Sequence, residues 1–243
     1  MNLSRPQITV KAMELPSAQT ALMMTYSAKN ADYFGNARRG FIDELPDNPA
    51  ARLLEIGAGE GSTAAYAQAT NKCGWTCGVE LCETAAAIAM TKMDQVIIGD
   101  VEKVALEFPE RHFDVLILSE ILEHLVDPWK VLKRLRPLMK PGALVHAGSP
   151  NVCHWSVIKS LLAGRWQYEE RGIFDATHLR WFSPLTYREM FMDSGYVVDS
   201  VSPANPLRAK ARLINAVTFG KVEHLLHTQL HLRAHCAQDV GIA

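Results

Sequence analysis

Three glycines at alternate positions, Gly57, Gly59 and Gly61, directly follow a short apolar run at residues 52–56. Glycine adopts left-handed backbone conformations and lets other groups approach the main chain closely, so this cluster favours a tight turn between a strand and a helix. The alanine-rich residues 62–70 suit such a helix. The pattern predicts a β-α unit whose connecting turn faces a ligand.

The same order of apolar run and helical segment repeats along residues 50–150, which is typical of parallel strands connected by helices. After a long segment rich in aromatic residues come a sixth strand and an alternating last strand. The predicted strands are residues 52–56, 76–80, 95–98, 113–118, 143–147, 196–198 and 229–236. The sequence therefore predicts an α/β fold with a largely parallel sheet.

The chain has 243 residues, of which 48% are apolar, and this is enough to fill the core of one domain. We expect a single domain over residues 1–243, because strands from both ends of the chain complete one sheet. Residues 1–50 are predicted to be a helical cover and residues 51–202 the core, with an aromatic insertion on the substrate side at about 150–183. Residues 203–243 are predicted to add a helix and the last strand.

The charge pattern argues against polymeric and membrane partners. A net charge of −1 provides no overall positive field for nucleic acid or an anionic membrane, and no apolar run approaches the roughly 20 residues that span a bilayer. The N-terminus lacks the apolar stretch of a secretion signal, so we expect a cytoplasmic protein without membrane insertion. We interpret the basic residues of the predicted helix after Asp127 as a solvated face; these are Lys130, Lys133, Arg134 and Arg136.

No metal site is expected. The spacing of Cys73, Cys77 and Cys82 fits no paired Cys-x-x-Cys set, so these thiols are interpreted as buried structural groups. The alternation at residues 229–236 predicts a strand that separates His231 and His235 from the earlier histidines.

Acidic side chains at three predicted strand ends indicate what ligand the glycine turn faces. Ser62 breaks the dinucleotide spacing Gly-x-Gly-x-x-Gly, and Glu55 would repel a pyrophosphate but suits an ammonium group. Glu80 is placed to accept hydrogen bonds from a ribose diol, and Asp100 from an adenine amine. The pattern predicts a nucleoside ligand without phosphates, with Leu81 and Val101 beside its ring.

These residues resemble the class I S-adenosylmethionine-dependent methyltransferases over most of the chain. The resemblance rests on Leu-Glu-Ile-Gly-Ala-Gly-Glu-Gly at 54–61, Gly-Val-Glu at 78–80, Gly-Asp-Val-Glu at 99–102 and the segment 113–128, which is similar to small-molecule methyltransferases related to ubiquinone-biosynthesis enzymes. Residues 149–156 and 172–182 resemble a bacterial subgroup often associated with cell-surface polysaccharide or secondary-metabolite genes. The family implies a doubly wound, Rossmann-like seven-stranded sheet, mostly parallel with an antiparallel last strand, and helices on both faces.

The resemblance also implies S-adenosyl-L-methionine as the cofactor and a set of residues that hold it. Tyr33 and Arg38 would close over the methionine carboxylate, and the backbone around Ser119 and Glu120 would contact the methionine part. The full predicted set is Tyr33, Arg38, Glu55, Gly57, Ala58, Gly59, Gly61, Glu80, Leu81, Asp100, Val101, Ser119 and Glu120.

Three histidines are candidates for a general base. His124 follows the fourth predicted strand and has Glu120 and Glu123 nearby to hold its tautomer; His178 and His154, in the aromatic insertion, follow in that order. A structural role as a packing histidine is the alternative for each.

The sequence leaves three functions open. The first is transfer of a methyl group to a small-molecule acceptor, with O-methylation slightly favoured over N-methylation because of the histidines. The second is an NAD-type oxidoreductase on a Rossmann-like sheet, which the glycine spacing disfavours. The third is a non-catalytic cofactor-binding partner protein.

Overall fold

One seven-stranded sheet organises the chain, of which a computed structural model describes residues 35–237. The strands are β1 (Arg52–Ile56), β2 (Trp75–Glu80), β3 (Gln95–Ile98), β4 (Phe113–Ser119), β5 (Met139–Pro150), β6 (Tyr196–Pro203) and β7 (Gln229–Cys236). Their order across the sheet is β3-β2-β1-β4-β5-β7-β6. β1 to β5 pair in parallel, whereas β7 runs antiparallel to both β5 and β6. The expected mostly parallel sheet with an antiparallel last strand is confirmed.

Seven α-helices connect and cover the strands in the described part of the chain. They are α1 (Arg39–Asp43), α2 (Ser62–Ala69), α3 (Glu83–Ala89), α4 (Pro128–Leu135), α5 (Trp155–Leu162), α6 (Pro184–Asp193) and α7 (Ala209–Val217). Short 3₁₀ helices cover Leu122–His124, Arg136–Leu138 and Glu223–Leu225. The sequence did not indicate α5, because the aromatic insertion lacks a clear helical period.

Local sequence determines where α4 begins and ends. The Asp127 side chain accepts a hydrogen bond from the backbone N–H of Lys130 at 3.0 Å, and Pro128 occupies the first turn. The α-helix ends at Leu135, since Pro137 lacks the N–H that a further turn would need and the chain continues as a 3₁₀ helix.

The core lies on both faces of the sheet because successive strand residues point to opposite sides. Leu53 of β1 packs with Ile42 of α1 and the alanines of α2 on one face. Leu54 packs with Leu132 of α4 and Phe191 of α6 on the other. This arrangement confirms helices on both faces, and it leaves the carboxyl ends of the parallel strands accessible at one edge.

Two further observations bear on the sequence expectations. Cys73, Cys77 and Cys82 are buried and free of disulfides, as expected for structural thiols. Among the described residues, no helix has both the length and the apolar character needed to cross a bilayer.

Candidate active site

A cavity of about 940 Å³ lies at the carboxyl ends of β1, β2 and β4. Most of the residues predicted to hold a cofactor line it together with His124: Arg38, Glu55, Gly57, Ala58, Gly59, Glu80, Leu81, Asp100, Val101, Ser119 and Glu120. Gly61, His154 and His178 do not line it, and Tyr33 lies outside the described residues. One continuous space therefore joins the glycine turn to the first candidate base.

The turn after β1 is shaped by close contacts on both sides. Gly57 has a φ of +72°, and a Cβ there would lie 3.2 Å from Cδ1 of Ile121. Gly61 has a φ of +73°, but a Cβ on it would meet Cγ of Met93 at 3.0 Å. Gly61 therefore serves the packing of α2 against Met93, while Gly57 and Gly59 expose main chain to the cavity.

Two backbone N–H groups hold the carboxylate of Glu80 in a fixed orientation at the end of β2. The N–H of Gly59 donates to Oε2 and the N–H of Cys82 to Oε1, both at 2.8 Å. Burial raises the pKa of Glu80 above its usual range although these hydrogen bonds favour the charged form. Each oxygen retains a lone pair that can accept from a ligand hydroxyl.

Asp100 lies one strand farther along the same edge and is also held by local contacts. It accepts hydrogen bonds from the backbone N–H of Glu102 and forms an ion pair with Lys103, each at 2.9 Å. Its side chain is thus partly neutralised at the rim of the cavity.

Glu55 is the most deeply buried acid of the turn, with 3% of its surface exposed. Its Oε2 has no hydrogen-bond partner among the described residues. Burial raises its pKa to about 8, against the opposing effect of hydrogen bonds with Thr63 and Ala64. A cationic group in the cavity would stabilise the ionised form of this carboxyl.

Glu120 turns the chain after β4 with an unusual backbone conformation. Its φ is +53°, which is uncommon for a side chain other than glycine and is found at functional sites. Gln229 Nε2 donates to Glu120 Oε2 at 3.3 Å, and the charge of Arg38 partly offsets the effect of burial, which raises the pKa of Glu120. Residues from α1's N-terminal flank, β4 and β7 therefore meet at this side of the cavity.

His124 lines the same cavity and belongs to the 3₁₀ helix that follows Glu120. Its Nδ1 is 3.2 Å from the carbonyl oxygen of Thr177 and 3.1 Å from Thr177 Oγ1, whose own hydrogen is donated to Asp175 at 2.6 Å. Both Thr177 atoms are thus acceptors, so Nδ1 carries a proton, and in the neutral imidazole the lone pair is on Nε2. The expectation that Glu120 or Glu123 would hold this tautomer is wrong for Nδ1, because Thr177 is its partner. The carboxylate oxygens of Glu123 have no hydrogen-bond partner among the described residues, and Glu120 is paired with Gln229.

Glu123, His124 and His178 form a buried cluster beside the cavity. One ligand-type atom from each lies within 4.8 Å of the others, and the two imidazole rings meet edge to face at 4.7 Å. Burial, with the nearby charge of Glu120, raises the pKa of Glu123 well above its usual range. A protonated Glu123 needs no cation, and the absence of a metal at this cluster remains a prediction.

A second cluster joins Glu44, His146 and His231 away from the cavity lining, with ligand-type atoms again within 4.8 Å. β7 places His231 apart from His224 and His227 as expected, but His231 contacts His146 of β5 and stacks on Phe41, where the sequence did not place it.

His154 and His178 have structural contacts. The ring of His154 accepts from the backbone N–H of Ser156 at 3.4 Å and so caps α5. His178 packs against His124, and its Nδ1 lies 3.3 Å from the carbonyl oxygen of Ile173. Neither contact excludes a catalytic role, but His124 is the candidate histidine that lines the cavity.

Several cavity residues were not predicted. Arg134 and Lys130, which we expected on a solvated face, line the cavity, and the Arg134 guanidinium donates to the carbonyl oxygen of Val101. Arg134 and Lys130 reach the cavity because α4 packs over the end of β3. No pattern in the sequence indicates this packing. The other unpredicted lining residues include Asn36, Ser62, Thr63, Lys103, Ile121, Arg171, Gly172, Leu179 and Gln229.

Known proteins resemble the chain in sequence. Residues 30–201 match a family model described as a methyltransferase domain. Over 110 residues the chain is 28% identical to a 27-O-demethylrifamycin SV methyltransferase of Amycolatopsis mediterranei (strain S699), covering 43% of this chain and 40% of that protein. It is 26% identical over 202 residues to a ubiquinone biosynthesis O-methyltransferase of Pseudomonas paraeruginosa (strain DSM 24068 / PA7), covering 79% and 84%. The chain thus spans less than half the length of the rifamycin enzyme.

Solved structures share the fold. A SAM-dependent methyltransferase from Archaeoglobus fulgidus superposes with a TM-score of 0.62 at 18% identity, covering 84% of this chain and 96% of that one. Similarity at this level of identity concerns the architecture, because one fold supports many reactions.

Proposed function

This chain belongs to the family of methyltransferase domains, and on that premise we propose that it transfers a methyl group from S-adenosylmethionine to a small-molecule acceptor, with oxygen favoured over nitrogen. The observation that supports the proposal is the shared cavity, since the glycine turn and Glu80 lie on its wall together with His124. We also propose that residues 35–237 form one domain, because β7 pairs with strands from two earlier parts of the chain; the remaining residues of the single domain expected over 1–243 lie outside the described part.

The cavity residues fit S-adenosylmethionine on three counts. The turn at Gly57 and Gly59 leaves main chain exposed at the cavity wall. Glu80 is held ready to accept from a diol, and the unpartnered Oε2 of Glu55 is suited to a cationic ligand. When bound, the cofactor supplies a methyl carbon activated by a sulfonium.

The chain's own residues would align this carbon with the acceptor. Glu80 would orient the ribose and Asp100 the adenine, while Arg38 and Gln229 would hold the amino-acid end beside Glu120. Alignment of reacting atoms is worth about 7–11 kcal/mol in favourable cases. Positioning can therefore provide most of the acceleration.

His124 would accept the proton of a hydroxyl acceptor through Nε2, because Nδ1 donates to Thr177. An amine acceptor that is already neutral needs no such base, so the tautomer of His124 supports oxygen over nitrogen. The proton would remain on the imidazole until product release exposes the site to water.

Calorimetric titration with S-adenosylhomocysteine and with NAD tests the cofactor part of the proposal. We expect binding of S-adenosylhomocysteine alone, and tight binding of NAD alone would contradict the proposal in favour of an oxidoreductase. A screen of metabolites for cofactor turnover and a one-methyl mass increase then identifies the acceptor. Binding of the cofactor without turnover of any acceptor would favour the non-catalytic alternative.

Chelation tests the expectation that Glu123, His124 and His178 act without a metal. Turnover and the melting temperature should be unchanged after dialysis against EDTA. Loss of turnover that is restored by adding Mg²⁺ or Zn²⁺ would overturn this expectation and assign the cluster as a metal site.

A further inference from the structure

The helix α7 has its apolar side turned away from the described part of the chain. Its half-buried residues are small or polar, Ala211 and Asn215, followed by Thr218 just after the helix, and no residue of α7 is buried. On the opposite side, Leu213 and Val217 are 67% and 69% exposed. This is the reverse of the usual arrangement, in which the apolar stripe of a surface helix faces the core.

Phe219 extends the exposed apolar side beyond the end of α7. Its side chain is 90% exposed, and its φ of +53° is a left-handed conformation that is an outlier for a bulky residue. Together with Ile214, which is 48% exposed, it brings large apolar side chains to the same surface segment. Such a cluster marks an interaction surface.

The charged residues within the segment that carries these side chains all have one sign, and the exposed Glu223 follows directly after it. Residues 204–222, which we call the α7 segment, contain no Asp or Glu but carry Arg208, Lys210, Arg212 and Lys221. All four cations are exposed, and none forms an ion pair with a described residue. The net charge of −1 for the whole chain hides this local excess.

We propose that the α7 segment docks on the surface of an anionic lipid bilayer. An interfacial helix places apolar side chains at the boundary of the acyl chains and its Lys and Arg side chains among the anionic headgroups. Leu213, Val217 and Phe219 would enter the boundary layer. Lys210 lies on the same side of the helix, three residues before Leu213, and can extend its ammonium group to the headgroups.

Charge and size argue against a second copy of the chain as the occupant. A symmetric dimer through this face would bring the cations of both copies together. A nine-residue helix also presents a small area compared with the roughly 800 Å² per partner of a stable interface. An anionic bilayer avoids both problems because it is extended and of opposite charge.

The position of the segment connects it to the cavity. The α7 segment leads into the 3₁₀ helix Glu223–Leu225 and then into β7. Gln229, the first residue of β7, lines the cavity. Asn151 Nδ2 donates to the carbonyl oxygens of His224 and His227 at 2.7 and 2.8 Å, which ties this connection to the end of β5. Lipid docking would place the bilayer near one end of the sheet, and it does not depend on the reaction that the cavity supports.

Vesicle flotation of the full chain tests the proposal. The protein should float with vesicles of phosphatidylcholine and phosphatidylglycerol and not with phosphatidylcholine alone. Replacing one of Arg208, Lys210 or Arg212 with Gln should weaken binding about fivefold. The double variant Leu213→Ser with Val217→Ser should abolish flotation, and high salt should weaken that of the wild type.

Leu185→Ser is the matched control, since Leu185 is 63% exposed in α6 and lies outside the segment. It should float like the wild type, and the melting temperatures of all variants establish that they are folded. No flotation of the wild type, equal flotation with neutral vesicles, or flotation unchanged in the folded double variant would each overturn the proposal. A wild-type dimer that Leu213→Ser dissociates would assign the face to a second copy instead.

Discussion

Burial raises the pKa of Glu55 to about 8, so this carboxyl is largely protonated at neutral pH unless a cation lies beside it. Because the pKa in the folded state exceeds the usual 4.5, the residue's contribution to stability is complete below pH 4.5 and is lost as the pH rises through about 8. A cationic ligand would offset the cost of the buried charge, because it favours the ionised form of Glu55. Binding should therefore release a proton.

Glu55→Gln tests this coupling. The variant should unfold at higher urea concentration than the wild type at pH 8, because Gln carries no charge to bury, and bind S-adenosylhomocysteine about tenfold more weakly. Calorimetry in buffers of different ionisation enthalpy should detect proton release in the wild type and none in the variant. Glu60→Gln, in the same turn but ion-paired to Lys92 at 3.8 Å, is the control and should retain the release.

The role of His124 as a general base can be tested by substitution. His124→Ala should lower turnover of a hydroxyl acceptor by about 100-fold to 10,000-fold while leaving affinity for S-adenosylhomocysteine nearly unchanged. The acidic limb of the pH–rate profile should disappear in the variant. His154→Ala, which removes the cap of α5 outside the cavity lining, should lower stability by about 1 kcal/mol, and a change in turnover would assign a catalytic part to His154 as well. Equal turnover of His124→Ala and the wild type would remove His124 from this role.

At the level of elements, the turn between β1 and α2 must keep both its backbone conformation and its open face. Gly59 has a φ of +53°, lines the cavity and donates its N–H to Glu80. A branched side chain here would be strained and would fill space next to the ligand. Backbone strain and obstruction of the ligand site can be separated, because Gly164 has a similar positive φ but an added Cβ there would meet no other atom.

Gly59→Val should abolish detectable binding of S-adenosylhomocysteine in calorimetry and also lower the free energy of unfolding by about 1–2 kcal/mol. Gly164→Val provides the comparison, since Gly164 has a φ of +68° and a Cβ added to it would have no neighbouring atom within 4 Å. This control should lose similar stability but bind normally. Normal binding by a folded Gly59→Val would show that the turn is not part of the ligand site.

For the molecule as a whole, two buried histidines connect α1 and the residue after it to the sheet. His146 of β5 and His231 of β7 are hydrogen-bonded at 3.0 Å, and Phe41 of α1 stacks on His231 at 4.3 Å. Glu44 and Arg233 form an ion pair at 3.4 Å above them. Burial lowers the pKa of His146 to about 3 and also lowers that of His231.

These shifts predict a loss of stability in acid. The folded pKa of His146 is below the usual 6.5, so its contribution is complete above pH 6.5 and is lost as the pH falls toward about 3. Urea unfolding should show a decrease of up to about 1.4 kcal/mol per pH unit for this group, which His146→Gln should remove. His224→Gln, at an exposed position, should keep the full decrease. An unchanged slope in His146→Gln would contradict the assignment.

Sequence alone determined the parts of the molecule that depend on near neighbours. The period of the apolar residues predicted the seven strands, and the position of Asp127 indicated where α4 begins. The glycine turn and the acids at or near the ends of β1, β2 and β3 could be placed at one edge because parallel strands share the direction of their carboxyl ends. These features need no knowledge of distant contacts.

Only the tertiary structure decided which distant residues complete the site. Thr177 reaches Nδ1 of His124 across 53 positions, Gln229 reaches Glu120 across 109, and Arg134 turns from an expected solvated face to the cavity. His231 is buried under Phe41 for the same reason. Such contacts arise from the order of strands in the sheet and from how loops pack over its edge. The free energy of that packing is distributed over many residues far apart in the chain, so no local sequence pattern indicates it.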